Sequence, residues 1–329
     1  MVSPVGKKTL VLSISVAALV IFYLGTRFHS CELQSPNQWK WEPIRVIFGP
    51  EIADDDTQHR LEELKVRMPA SEKANLTVNY VHLYDNPAKP RPLNFLGCLG
   101  AYSAALNLEP DRILIHTNNA SLNPLVQCDS LLNMTIRWPL VEVIKVGLQK
   151  KMNNKAIGTI QHEADIRKLQ SVEEYGGLVL DFDVYVINGT LLRWLMQQHP
   201  CIVCHEVDRL NAGFLGCQQP HARYPQLVLE ESYRKRYNPN CWLCNSGQEP
   251  WNVLQKNKET ALVVNGVCDH PSGVVEAENW ETLPAFHSYW HYNLDLKGAR
   301  TLDSTLGVVF RWLLKGAPSH LAGLDIPPE

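Results

Sequence analysis

Hydrophobic and polar positions divide the chain into three stretches. Residues 9–26, TLVLSISVAALVIFYLGT, form an apolar run without a charge. Residues 27–75 are mixed and contain proline, and their DDDTQHRLEELKVR predicts a short surface helix. From residue 76 onward, short apolar runs alternate with helical patterns. LTVNYVHLY (76–84) predicts a strand, NFLGCLGAYSAALNL (94–108) a helix with close small-residue packing, and DRILIHTN (111–118) a second strand. Residues 119–155 predict irregular structure. TIQHEADIRKLQSVEEYGG (159–177) predicts a helix closed by Gly176 and Gly177, because glycine accepts the left-handed conformation that ends a helix. LVLDFDVYVI (178–187) and CIVCHEV (201–207) predict two further strands. This alternation predicts an α/β domain with a mostly parallel sheet and helices on both faces.

The first apolar run is barely long enough for a membrane helix, which needs roughly 17–25 residues. A cleaved signal peptide would have a shorter apolar core and a small-x-small site after it; here Ala17 and Ala18 lie inside the run. An uncleaved anchor is therefore expected. Lys7 and Lys8 outweigh Arg27 and keep residues 1–8 cytosolic, so the stem (27–75) and the body (76–329) face the lumen. So short an anchor suits the thinner membranes of the early secretory pathway.

Four sequons agree with a luminal body: Asn75-Leu76-Thr77, Asn119-Ala120-Ser121, Asn133-Met134-Thr135 and Asn188-Gly189-Thr190. The chain has 9 cysteines, most of which should pair in an oxidising lumen, leaving Cys31 as the odd one. Cys201, Cys204, Cys241 and Cys244 also form a C-x-x-C pair of pairs, but their separation exceeds that of a zinc ribbon. CIVCH (201–205) matches haem attachment only as a short pattern, with no second axial ligand evident. A net charge of −3 leaves no electrostatic footprint for nucleic acid.

The chemistry concentrates at residues 178–187. Leu178, Val179 and Leu180 are apolar on both faces, as in a central parallel strand. Side chains alternate along a strand, so Asp181 and Asp183 are expected on one face, with Cα atoms roughly 6–7 Å apart. Two carboxylates that close are costly unless a cation joins them, and a hard divalent ion commonly brings a phosphate with it. The preceding helix carries an apolar arc of Ala164, Ile166, Leu169, Val172 and Tyr175, with Asp165 near its centre and Arg167 nearly opposite. A carboxylate on that stripe requires a polar partner. His116 and Trp242 are expected to be packing residues.

The block HEADIRKLQSVEEYGGLVLDFDVYVI resembles the signature of the DXD-containing sugar transferases of glycosyltransferase family 32 and relatives. These include the yeast initiating α-mannosyltransferase and the animal α1,4-galactosyl- and α1,4-N-acetylglucosaminyltransferases. Matching positions are His162, Asp165, Tyr175, Gly176, Gly177, Asp181 and Asp183. The family's arginine falls three residues after the first aspartate; here Lys168 stands there and Arg167 one place earlier. VNYVHLY, PDRILIHTN, LNAGFLGC with Asn211 and Gly213, and AFHSYWHYN are similar to flanking family segments, so the likeness covers most of 76–295.

That resemblance implies a GT-A-like, Rossmann-type catalytic domain over 76–329, preceded by one transmembrane helix in a type II Golgi membrane protein. It implies a nucleotide-sugar donor (UDP- or GDP-sugar), a glycan or glycolipid acceptor and Mn²⁺ or another divalent cation. Asp165, with Arg167 or Lys168, would contact the donor sugar; His82, Gly176, Gly177 and Asn211 would also bind substrate. Asp181 and Asp183 would organise the metal, completed by His287 or else His291. The family retains the α configuration, and no enzyme nucleophile stands out. Two other readings remain: a family member that binds nucleotide-sugar or glycan without turnover, and a haloacid-dehalogenase-like phosphatase, in which Tyr185 would take the place of the motif's threonine.

Overall fold

The computed structural model describes residues 75–132, 139–268, 280–290 and 293–315. They belong to the larger of two units, Val46–Glu329. The expected anchor (9–26), the sequon at Asn133, Cys31 and His291 lie outside the described residues, as does all of the stem except Asn75. Among the described residues no helix is long and apolar enough to cross a membrane.

Eleven strands are described: β1 (Thr77–Val81), β2 (Arg112–Thr117), β3 (Leu140–Lys145), β4 (Lys151–Met152), β5 (Lys155–Ala156), β6 (Gly177–Leu180), β7 (Val184–Val186), β8 (Cys201–Glu206), β9 (Arg209–Cys217), β10 (Leu262–Val264) and β11 (Ala285–His287). The α-helices are α1 (Phe95–Leu108), α2 (Asp129–Leu132), α3 (Ile160–Tyr175), α4 (Gly189–Gln198), α5 (Arg223–Val228), α6 (Glu249–Lys256), α7 (Leu296–Thr301) and α8 (Thr305–Lys315). Seven strands form one sheet in the order β10-β8-β9-β6-β1-β2-β3. Only β9 runs against its neighbours; β1–β2, β2–β3, β1–β6 and β8–β10 pair in parallel. The sheet is thus mostly parallel, in line with the GT-A-like expectation.

Alternation along the strands builds two cores. Val78, Tyr80, Ile113, Leu178 and Leu180 face α1, α4 and α8, while Val179, Val203 and Leu215 face α3, α5 and α6. Helices therefore cover both faces. The α1 helix is buried nearly all round, starting from Asn94, whose Oδ1 accepts from the Gly97 amide. A Cβ on Gly100 would lie 2.1 Å from the Phe182 carbonyl oxygen, so only glycine lets α1 approach the residue between the two aspartates.

Two expectations need correction, and one element is additional. The strand expected over 178–187 is two strands. β6 stops at Leu180, Val184 N–H donates to the Asp181 carbonyl (3.0 Å) across a turn, and β7 leaves the sheet to pair antiparallel with β11. Asp181 and Asp183 are neighbours through this turn, not through strand alternation. Within the stretch expected to be irregular lies β3, an edge strand whose half-exposed, partly charged residues conceal the apolar pattern. Finally, β9 forms an unanticipated hairpin with β8.

Disulfides join Cys98–Cys128, Cys201–Cys217, Cys204–Cys268 and Cys241–Cys244. The four cysteines of the two C-x-x-C pairs are thereby engaged, which leaves no zinc ribbon and no thiols for haem attachment.

Candidate active site

The strand order reverses between β1, which leads outward to β2 and β3, and β6, which leads to the other half of the sheet. In open α/β sheets ligands bind at such a switch point, beyond the carboxyl ends of the strands. Asp181 follows β6 directly, and its amide donates to the Gly213 carbonyl (2.8 Å) on β9. His82 follows β1, and its ring stands edge-on to Phe182 at 5.8 Å. Burial lowers the His82 pKa, so the ring is neutral near pH 7.

The β7–β11 pairing supplies the third member. His287 lies opposite Val184, and the Ser288 amide donates to the Asp183 carbonyl (2.9 Å). Ligand atoms of Asp181, Asp183 and His287 all lie within 4.8 Å of one another. His287 Nε2 is 3.3 Å from Asp183 Oδ1. Burial alone would raise the Asp183 pKa, but the adjacent imidazole reverses this and holds the carboxyl below its ordinary value. His287 Nδ1 faces Cys268 Sγ at 3.6 Å, and that sulfur is bonded to Cys204. A disulfide sulfur has no proton to give, so the contact is favourable when Nδ1 carries the hydrogen. Nε2 is then the ring nitrogen that faces Asp183.

This donor set fits a divalent cation: two carboxylates and one imidazole nitrogen, held on a turn and a short strand. Gly213 is part of the fit. A Cβ there would lie 2.7 Å from Asp181 Oδ2, 2.9 Å from Asn211 Oδ1 and 3.0 Å from His287 Cε1. Where these three groups converge, the chain bears only a hydrogen.

Lys168 ties this cluster to α3. Its Nζ lies 2.6 Å from Asp181 Oδ1 and 3.1 Å from Asp165 Oδ1. Asp165 and Lys168 are three apart on one helix face, so both reach the same place. Burial opposes the Lys168 charge, but Asp181 and Asp165 outweigh it and raise its pKa. Burial raises the Asp165 pKa against the pull of Lys168 and of Trp242, whose indole N–H donates to Asp165 Oδ2 at 2.6 Å. The partner that a carboxylate on this apolar stripe requires is therefore a lysine and a tryptophan. Of the two cations expected to compete for this position, Lys168 occupies it. Arg167 turns away and donates to the Gly147 carbonyl (3.1 Å).

Asn211 borders the cluster. Its Oδ1 accepts from Gly213 N–H (2.6 Å), and its Nδ2 donates to Glu206 (2.6 Å) and to the Tyr289 hydroxyl (3.2 Å). Tyr289 stacks on His287 with ring centres 3.8 Å apart.

Gly176 and Gly177, expected to bind substrate, stand at the opposite end of β6 from Asp181, roughly 13–16 Å away at ~3.3 Å per residue. Their φ values are +64° and +78°, and a Cβ on Gly177 would lie 2.1 Å from the Thr77 carbonyl oxygen. Their role is to let α3 turn into the sheet. His116 is the buried packing residue expected, hydrogen-bonded to Asn79. Trp242 is not: it is half exposed and reaches Asp165 from 77 residues away. No local pattern in the chain signals that contact.

No protein-family model and no curated protein matches the chain. Among solved structures it is similar to the galactosyltransferase LgtC in complex with donor and acceptor sugar analogues, at 13% identity over 77% of this chain and 98% of that one, TM-score 0.38. It is also similar to the glycosyltransferase GlyE of Streptococcus pneumoniae TIGR4 (14% identity, 74% and 64% coverage, TM-score 0.40) and to the PaToxG glycosyltransferase (12%, 62% and 76%, TM-score 0.36). Likenesses this loose decide neither reaction nor substrate, which rest on the side chains themselves.

Proposed function

We propose that the chain is a metal-dependent retaining glycosyltransferase that moves a sugar from a UDP- or GDP-sugar to a glycan or glycolipid hydroxyl. The observation that carries this reading is the Asp181–Asp183–His287 cluster at the sheet's switch point, joined through Lys168 to the buried Asp165. A divalent ion at the cluster supplies Lewis-acid stabilisation of the charge that develops on the leaving diphosphate. Asp181, Asp183 and His287 are the residues that would hold the ion. Lys168 keeps the Asp165 carboxylate in register with that ion site, and Asp165 accepts from hydroxyls of the donor sugar. Neutral His82 and Phe182 wall the crevice on the β1 side.

In the transfer, the bond from the anomeric carbon to the phosphate oxygen breaks and the bond from that carbon to the acceptor oxygen forms. The acceptor's hydroxyl proton passes to the departing phosphate. Asp165 has both oxygens engaged by Lys168 and Trp242, which favours front-face displacement over a covalent enzyme intermediate. The uncharged run at 9–26 would anchor the protein as a single-pass type II Golgi protein with this site in the lumen.

The test is a panel of UDP- and GDP-sugars, assayed for Mn²⁺-dependent binding, donor hydrolysis and transfer. A thermal-shift series with metal alone, nucleotide alone and both accompanies it. Metal plus nucleotide should stabilise the wild type and stabilise Asp183→Asn far less. Equal stabilisation of both proteins removes the cluster from the mechanism. Binding without hydrolysis or transfer selects the non-catalytic reading.

A further inference from the structure

Trp242 combines two properties that seldom coincide. It is 49% exposed, one of eight exposed large apolar side chains among the described residues, yet its N–H bonds a carboxylate that is only 3% exposed. Its backbone is held firmly. Cys241 and Cys244 close a disulfide around Trp242 and Leu243. Asn245, itself buried, donates to the Asn238 and Cys241 carbonyls (2.7 and 2.6 Å) and accepts from the Asn238 amide (2.9 Å). Ser246 Oγ donates to the Trp242 carbonyl (3.1 Å). The helical segment then passes through a π-helical stretch, Cys244–Gln248, of a kind frequent at functional sites. It lies so close to β9 that a Cβ on Gly247 would meet the Leu210 carbonyl oxygen at 2.6 Å.

An ordered, half-exposed indole has an apolar face and a polar edge. Here the N–H edge is engaged by Asp165, and about half of the side chain is left exposed. A pyranose ring has the complementary form, with hydroxyls around its rim and a patch of C–H groups on its face. We infer that Trp242 is the sugar-positioning wall of the site: its ring covers the C–H face of the donor hexose, while its N–H holds Asp165 toward the sugar's hydroxyls. This rests on the nucleotide-sugar reading above. Asp165 can serve both partners, because a carboxylate has about four acceptor positions and Lys168 and Trp242 use two.

The experiment separates recognition of the sugar from recognition of the nucleotide. Full-length wild type, Trp242→Phe and Trp242→Ala are titrated calorimetrically, with Mn²⁺ present, against UDP and GDP. The same proteins are then titrated against UDP-galactose, UDP-glucose, UDP-N-acetylglucosamine and GDP-mannose. The alanine variant should bind the preferred nucleotide-sugar on the order of tenfold more weakly and the bare nucleotide unchanged. The phenylalanine variant, which keeps a ring but loses the N–H, should fall between. A nucleotide-sugar affinity unchanged in both variants makes Trp242 a surface residue and overturns the inference. Equal losses for nucleotide and nucleotide-sugar make it a structural residue and overturn it too. A wild type that binds no nucleotide overturns the proposed function itself, a result distinct from either.

Discussion

Lys168 Nζ stands 2.6 Å from Asp181 Oδ1 and so joins the helix that carries Asp165 to the turn that carries Asp183. Both carboxylates need this one ammonium. Asp165 is buried, and Asp181 follows a strand buried on both faces.

Lys168 and Arg167 should therefore behave differently. Lys168→Met leaves the buried Asp165 without its cation, at a cost of about 3–5 kcal/mol. Adding Asp165→Asn to that variant should return part of the lost stability. Arg167→Ala loses one bond to a carbonyl and should change stability by no more than about 0.5 kcal/mol, with donor binding kept. Urea unfolding of the four proteins checks this; a larger loss for Arg167→Ala than for Lys168→Met would contradict the assignment.

Gly213→Ala tests the cradle. The added methyl would crowd Asp181, Asn211 and His287 at once. Mn²⁺-dependent nucleotide binding should weaken by about tenfold or more, since each 1.4 kcal/mol is tenfold. Nucleotide binding without metal should change little. Calorimetry with and without Mn²⁺ decides; undiminished metal-dependent binding would show that the three groups do not act together.

His116 should make stability depend on pH. Asn79 Nδ2 donates to the Gly176 carbonyl, so its Oδ1 faces His116 Nε2, which carries the proton. Burial, and then the charge of Arg167, push the His116 pKa down to about 4. The unfolded chain titrates near 6.5 and so binds more protons between these values, and stability rises with pH across that window. The contribution is complete above about pH 6.5 and is lost toward pH 4; it amounts to about 3 kcal/mol. In His116→Gln the slope between pH 4 and 6.5 should flatten by about one proton. An unchanged slope would assign the dependence to other groups.

The sequons should differ in occupancy if the body is luminal. Asn75 is exposed at the start of the described domain. Asn188 caps α4, its Oδ1 accepting from the Leu191 amide (2.9 Å), and its own amide donates to the Pro284 carbonyl. Peptide mapping after glycan removal should find Asn75 modified more fully than Asn188. The reverse order would mean that glycosylation precedes the packing of α4.

The residue pattern by itself determined the parts whose local period and burial agree. The strands β1 and β2, the helices α1 and α3 and the stretch Leu178–Leu180 are legible because each buries a continuous or regularly spaced apolar face. The paired aspartates are legible because charge beside such a strand demands a partner, as does Asp165 on its apolar stripe. Only the tertiary structure decided what those partners are. The turn at Asp181–Asp183 depends on β7 pairing with β11 and on α1 pressing Gly100 against Phe182. The choice of Lys168 over Arg167 depends on which side of α3 meets the sheet, and the reach of Trp242 to Asp165 depends on a disulfide-held loop 77 residues away. Such contacts join segments with no periodic relation to each other. Packing the whole sheet between its two helical layers sets them, and no stretch of a dozen residues contains that information.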